Sequence, residues 1–289
     1  MLQLVSPNFS DLLAPNIEIG KFPDGNTHVR IPNLENYKGR EVLLFHRLYP
    51  DQNNGFFELL LILETLKEQK AIVTLVVPYL PYARHEKQIL EGEITSAPVT
   101  CNLIAAAGCK KIVTFDCHFL NVEGEVKYGN LLIQNFSMGG NLINRARQFF
   151  GAEPFEIIGL DEGAAYLVKN WGGKYMQKTR KNYENGAVGY RPIEGLYCEF
   201  DVKDKNVLLI DDMISTGSTM ISGLQKMKVC GVKRLCCAVT HGLFLFDSGE
   251  KIKQLAENVF SADTIVSLFA QVSIKDKLNE LQTNVQKLF

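Results

Sequence analysis

Residues Val207–Thr219 (VLLIDDMISTGST) combine side chains that could do chemistry at a spacing that could do it together. An apolar run leads into two adjacent carboxylates, Asp211 and Asp212. A turn of small and hydroxyl residues follows, Ser215, Thr216, Gly217, Ser218 and Thr219, and a helical apolar period begins directly after it. N–H groups at the start of a helix lack intrahelical partners and the helix dipole favours negative charge, so such a turn is an anion site of phosphate size. The two acids cannot hold that same phosphate. They suit sugar hydroxyls or a magnesium ion, and a phosphorylated sugar meets both demands. Serine and threonine are also ordinary helix caps, so a capped helix is the competing reading for any one of these residues. The agreement of the whole run argues against it.

Four other segments carry candidate groups. Lys21–Asn26 (KFPDGN) reads, alone, as a turn before a strand. Val77–Lys87 (VPYLPYARHEK) places Arg84, His85 and Lys87 after aromatic residues; arginine can fork onto phosphate and lysine can supply a point charge, although a charge run of this kind also suits a solvated face. Asp116 and His118 stand two apart at a strand end, which on an extended chain puts both on one side. Gly159–Ala164 (GLDEGA) sets Asp161 after another strand. The stretch Lys174–Pro192 has no apolar period but carries Lys174, Lys178, Arg180, Lys181 and Arg191, which reads as a mobile basic loop.

In order and spacing these segments resemble the ribose-phosphate pyrophosphokinases, enzymes of the phosphoribosyltransferase-type fold, from Phe22 to about Ile265, with Thr240–Phe244 (THGLF) as a further marker. The resemblance implies transfer of the β,γ-diphosphoryl group of ATP to the 1-hydroxyl of ribose 5-phosphate, giving phosphoribosyl pyrophosphate and AMP. It assigns Asp211, Asp212, Ser215, Thr216, Gly217, Ser218 and Thr219 to the ribose phosphate. Phe22, Asp24, Asn26, Arg84, His85 and Lys87 fall to ATP, with the Phe22 segment reaching across an interface between subunits of a homodimer or higher oligomer. His118 and Asp161 are implied at Mg²⁺, and Lys178, Arg180 and His118 as catalytic groups, the first two closing over the reacting diphosphate. The chain departs from the family pattern at Asn26 (Glu), His85-Glu86 (Gln-Asp), Ser215 (Asp) and Ser218 (Gly). Serine at 215 also occurs in archaeal-type relatives; the departures at Asn26, His85-Glu86 and Ser218 leave room for a larger acceptor such as ADP-ribose. Retention of Lys178, Arg180, His118 and Asp161 argues against a non-catalytic regulatory homologue, and the duplicated architecture with the Asp116/His118 motif disfavours a base phosphoribosyltransferase.

The positioning elements are legible as well. Runs at Glu41–His46, Ala71–Val77, Lys111–Asp116, Phe155–Leu160, Asn206–Asp211 and Val232–Val239 are apolar almost throughout and alternate with helical periods, as in parallel α/β sheets covered on both faces. Leu59, Leu63 and Leu66 share a helical face with Phe56 and Leu60; Leu278, Leu281, Val285 and Leu288 form another stripe. Strand, acidic end, loop and helix recur around Asp116 and Asp211. This predicts two tandem α/β domains of phosphoribosyltransferase type, each a mainly parallel sheet flanked by helices: residues 1–136 on the ATP side and 137–289 on the ribose-phosphate side, the final helix packing back on the first.

Lysine plus arginine (31) balances aspartate plus glutamate (32), which gives no basic field for nucleic acid. No apolar run approaches the ~20 residues of a membrane span, and the amino terminus lacks the pattern of a secretory leader. A cytoplasmic protein is expected. The seven cysteines read as buried free thiols, neither a disulfide framework nor a zinc site.

Overall fold

Strands with no polar face need cover on both sides, and the apolar runs accordingly fold as interior strands of two parallel sheets. The computed structural model describes residues 1–180, 193–197 and 200–286; for 178–180, 193–197 and 282–286 the description is of the backbone. The chain divides into two units, Met1–Phe136 with Lys275–Phe289, and Ser137–Ile274.

The first unit contains β1 (Leu2–Val5), β2 (Glu18–Lys21), β3 (Thr27–Arg30), β4 (Glu41–Phe45), α1 (Gln52–Glu68), β5 (Ile72–Val76), α2 (Ser96–Ala106), β6 (Cys109–Phe115), β7 (Gly124–Tyr128) and β8 (Leu131–Phe136). Its six-stranded sheet runs β1-β4-β5-β6-β8-β7, parallel except for β7 against β8. The hairpin β2–β3 stands apart as its own two-stranded sheet. Helix α1 buries Leu59, Ile62, Leu63 and Leu66 in a core with Leu44, Leu75 and Ile112. At the end of β4, His46 is fully buried. Its Nδ1 lies 2.8 Å from Ser6 Oγ and its Nε2 2.9 Å from the Gly55 carbonyl oxygen, and burial holds the imidazole down at about 4.

The second unit contains α3 (Gly139–Phe150), β9 (Phe155–Gly159), α4 (Ala165–Val168), β10 (Lys174–Tyr175), β11 (Gln177–Arg180), β12 (Ile193–Tyr197), β13 (Asn206–Ile214), α5 (Ser218–Val229), β14 (Arg234–Gly242), α6 (Ser248–Lys253), β15 (Asn258–Ala262) and β16 (Ala270–Val272). Its sheet is parallel in the order β10-β9-β13-β14-β15-β16. Polar contacts tie the amino edge together: Lys233 to Glu153 at 2.6 Å, Lys205 to Glu156 at 3.1 Å and Arg234 to Glu257 at 2.9 Å, with Asp204 N–H donating to the Gly231 carbonyl at 2.9 Å. The last helix, α7 (Lys275–Gln286), groups with the first unit. Leu278 is buried there, whereas Leu288 lies outside the described residues.

Two expectations need correction. The strand ending near Asp116 is not followed by a helix; the chain turns instead into the β7–β8 hairpin, so the two units differ after that strand. Part of the expected basic loop is strand, because Lys174 and Tyr175 pair with Ile158 and Gly159 and β11 pairs with β12. Cross-strand pairing needs no apolar period, so an exposed edge of this kind leaves no trace in hydrophobicity. Lys181 and Arg191 lie outside the described residues. Among the described residues six cysteines are free. Burial pushes the Cys101 thiol up to about 11 and those of Cys109 and Cys236 to about 12. No described helix is long and apolar enough to cross a membrane.

Candidate active site

Parallel α/β sheets bind ligands beyond the carboxyl ends of their strands. In the second unit the loops after β9, β13 and β14 leave neighbouring strands at that edge, and they carry Asp161, the Ser215–Thr219 turn and the Leu243–Ser248 segment. Strand β13 runs three residues further than its apolar stretch, because Met213 and Ile214 pair with His241 and Gly242. Asp211 and Asp212 are therefore half-buried strand residues. The Asp211 carboxylate accepts the Asp212 N–H at 3.0 Å.

Gly217 is the N-cap residue just before α5, with φ +78°, and a Cβ there would sit 2.8 Å from Ser248 Cβ. Both the left-handed backbone and the close approach of α6 call for glycine. Glycine at the N-cap position brings no capping side chain of its own, and a helix start of this kind offers first-turn N–H donors that suit an anion. The N-cap position is thus held by glycine and not by one of the serines or threonines. The turn is braced from behind: Leu243 N–H (2.9 Å) and Phe244 N–H (3.2 Å) donate to the Ile214 carbonyl, and Leu245 N–H donates to that of Ser215 at 2.9 Å. This support was not visible in the sequence beyond the THGLF marker, since backbone bonds carry no residue signature.

Asp161 Oδ1 accepts the Gly163 N–H at 2.9 Å and so shapes its own loop. Lys178 and Arg180 lie on β11, which begins just after Met176 N–H donates to the Gly159 carbonyl at 3.0 Å. Their backbone therefore departs from the carboxyl end of β9, while their side chains lie outside the described residues.

In the first unit, the Pro78 carbonyl accepts from Phe115 N–H and from the Thr114 hydroxyl, each at 3.3 Å. This laces together the ends of β5 and β6, from which the Arg84–Lys87 segment and the Asp116–His118 turn emerge. Arg84, His85 and Lys87 are exposed. Lys87 pairs loosely with Glu86 at 3.6 Å, and Ser96 Oγ lies 3.5 Å from His85 Nδ1. Asp116 and His118 do not lie on an extended chain as expected. The strand stops at Phe115, Asp116 takes φ +34°, and Asp116 is fully buried whereas His118 is exposed. The alternation rule fails because it holds only for extended backbone.

The β2–β3 hairpin turns at Gly25, with φ +89°. Asp24 accepts Asn26 N–H at 3.0 Å and Asn26 Nδ2–H at 2.7 Å. Both polar residues bond each other within the turn while remaining exposed, and the ring of Phe22 is 51% exposed and packed edge-on to His28.

Residues 10–108 match the family model for the N-terminal domain of ribose phosphate pyrophosphokinase, and 173–276 that for a phosphoribosyl transferase domain. The ribose-phosphate pyrophosphokinase of Sulfurisphaera tokodaii is 31% identical over 90% of this chain and 88% of its own. The chain belongs to the ribose-phosphate pyrophosphokinase family. The family member from Methanopyrus kandleri is 28% identical over 94% of this chain and 91% of its own. The fold matches the crystal structure of phosphoribosylpyrophosphate synthetase from Mycobacterium smegmatis with a TM-score of 0.77 at 21% identity, covering 100% of this chain and 99% of that one.

Against the family pattern, Ser218 is the first residue of α5 and half-buried, so its Cβ and hydroxyl add to the wall of the turn. Among the described residues there is no cluster of three or more histidine, cysteine or acidic side chains. Taken singly, the His118 imidazole in the first unit and the Asp161 carboxylate in the second are each a sparse donor. A single donor of this kind suits magnesium, which commonly keeps its waters and substrate phosphates and takes only one or two protein carboxylates.

Proposed function

We infer that this chain transfers the β,γ-diphosphoryl group of ATP to the 1-hydroxyl of ribose 5-phosphate. The carrying observation is the start of α5, entered through a glycine at φ +78° that packs against Ser248 and preceded by two half-buried acids, in a chain of this family. Ser215–Thr219 hold the 5-phosphate through backbone N–H and hydroxyl donors. Asp211 and Asp212 accept from the ribose hydroxyls. Arg84, His85 and Lys87 neutralise the ATP phosphates, and Phe22 lies against the base.

The ribose O1 bonds to the β-phosphorus as the bond from that phosphorus to the α–β bridging oxygen breaks. AMP leaves with the bridging oxygen and the hydroxyl proton is released. Such transfers ask for alignment and charge neutralisation more than for covalent chemistry. Lys178 and Arg180 supply positive charge to the transferred group and to departing AMP. Bound Mg²⁺, with His118 and Asp161 as its protein donors, would neutralise polyphosphate charge. The hairpin serves a neighbouring subunit, making the active species a homodimer or larger.

The relatives favour ribose 5-phosphate over ADP-ribose as acceptor. AMP release from ATP, measured with each acceptor in turn, tests this. Turnover with ribose 5-phosphate and little with ADP-ribose is expected, and the reverse would reassign the substrate.

A further inference from the structure

We propose that Asn135 is the residue that positions His118, by closing the loop that carries it. This rests on the reading of His118 as a functional group. Asn135 lies next to last on β8, the strand between β6 and β7, opposite Thr114 on one side and Gly124 on the other. The loop leaving β6 must cross the end of β8 to begin β7, and the fully buried Asn135 side chain stands beneath that crossing. Its Oδ1 accepts the Cys117 N–H at 2.9 Å, and its Nδ2 donates to the Val122 carbonyl at 2.8 Å. One amide therefore ties both ends of Cys117–Val122.

Only asparagine fits this arrangement among side chains of its size. Aspartate has no donor for the Val122 carbonyl, and leucine has neither donor nor acceptor. Inside the clasp, Leu120 N–H donates to the Cys117 carbonyl at 2.7 Å; just outside it, Asp116 N–H donates to the Phe136 carbonyl at 2.9 Å. Asp116 holds its left-handed conformation there, a backbone cost that persists only where the surroundings impose it. His118 is the exposed side chain directly after the clasped Cys117. Fixing the loop at both ends fixes the direction from which the imidazole leaves. The sequence separation of 18 residues between Cys117 and Asn135 kept this contact from showing in any local motif.

The test compares Asn135→Leu and Asn135→Asp with the unaltered chain. In Asn135→Leu, amide hydrogen exchange at Cys117 and Leu120 should accelerate while Val113 in β6 stays protected. Turnover should fall roughly ten- to a hundredfold, as when a reacting group is misplaced by about 1 Å, with the KM for ribose 5-phosphate unchanged. Asn135→Asp, which keeps the Cys117 contact, should fall between. In a His118→Ala background Asn135→Leu should cost no further turnover, because a residue acting only through His118 has nothing left to position. The same loss in both backgrounds, or unchanged exchange at Cys117, would overturn the proposal. If His118→Ala itself turns over normally, the functional reading of His118 fails, and the exchange rates alone decide whether the clasp exists.

Discussion

The carbonyl of Ser215 accepts the N–H of Leu245 at 2.9 Å, so the turn assigned to the sugar phosphate is held from the loop after the neighbouring strand. Its shape is set before any ligand arrives, which spares binding the entropy of ordering a loop.

Gly217→Ala should damage this turn twice. A non-glycine residue at φ +78° costs about 1–2 kcal/mol, and the added Cβ meets Ser248 at 2.8 Å. Denaturant midpoints should fall, and the KM for ribose 5-phosphate should rise about tenfold or more. Adding Ser248→Gly should recover only the packing part. Wild-type KM in Gly217→Ala would separate the turn from the sugar phosphate.

Thr216→Val and Thr219→Val each remove a hydroxyl donor. Loss of a donor to a charged acceptor is worth about 1.5–3 kcal/mol, so the KM for ribose 5-phosphate should rise roughly ten- to a hundredfold while the KM for ATP holds. Asp211→Asn and Asp212→Asn should act in the same direction. A lower melting temperature with unchanged sugar-phosphate dependence would mean that these residues serve the fold instead.

Lys178→Ala and Arg180→Ala should lower kcat roughly a hundredfold or more, with little change in ATP affinity, since an interaction made in the transition state shows in the rate. Weakened ATP binding at unchanged turnover would make them substrate-binding residues.

Buried His46 predicts acid sensitivity. Its folded value of about 4 lies below the ordinary 6.5, so between those values the unfolded chain takes up a proton that the folded chain refuses. Stability should be full above pH 6.5 and fall by at most about 3 kcal/mol as the pH drops to 4. Urea midpoints across that range should slope less in His46→Gln. Identical slopes would show that another group governs the acid limb.

Much of this was readable in one dimension because it rests on local composition. The apolar stretches beginning at Glu41, Phe155 and Asn206 open strands at those residues, since an interior strand must be apolar along its length. The Ser215–Thr219 turn was readable because its residue types and its geometry answer the same requirement. Asn135 and the Leu243–Ser248 brace were not, since each acts on a segment brought near only by sheet order. The departure from extended backbone at Asp116, where Asp116 is buried and His118 exposed, is one that no side-chain pattern encodes.

The polar stitching at the amino edge of the second sheet has a practical consequence. Strand β13 spans nine residues, roughly 30 Å at about 3.3 Å each, between the Asp204 turn at one end and the phosphate turn at the other. A dye, an affinity handle or a surface linkage attached at Asp204 would sit a full strand length from the sugar-phosphate turn, so the protein can be immobilised or labelled there for binding studies with that turn left open.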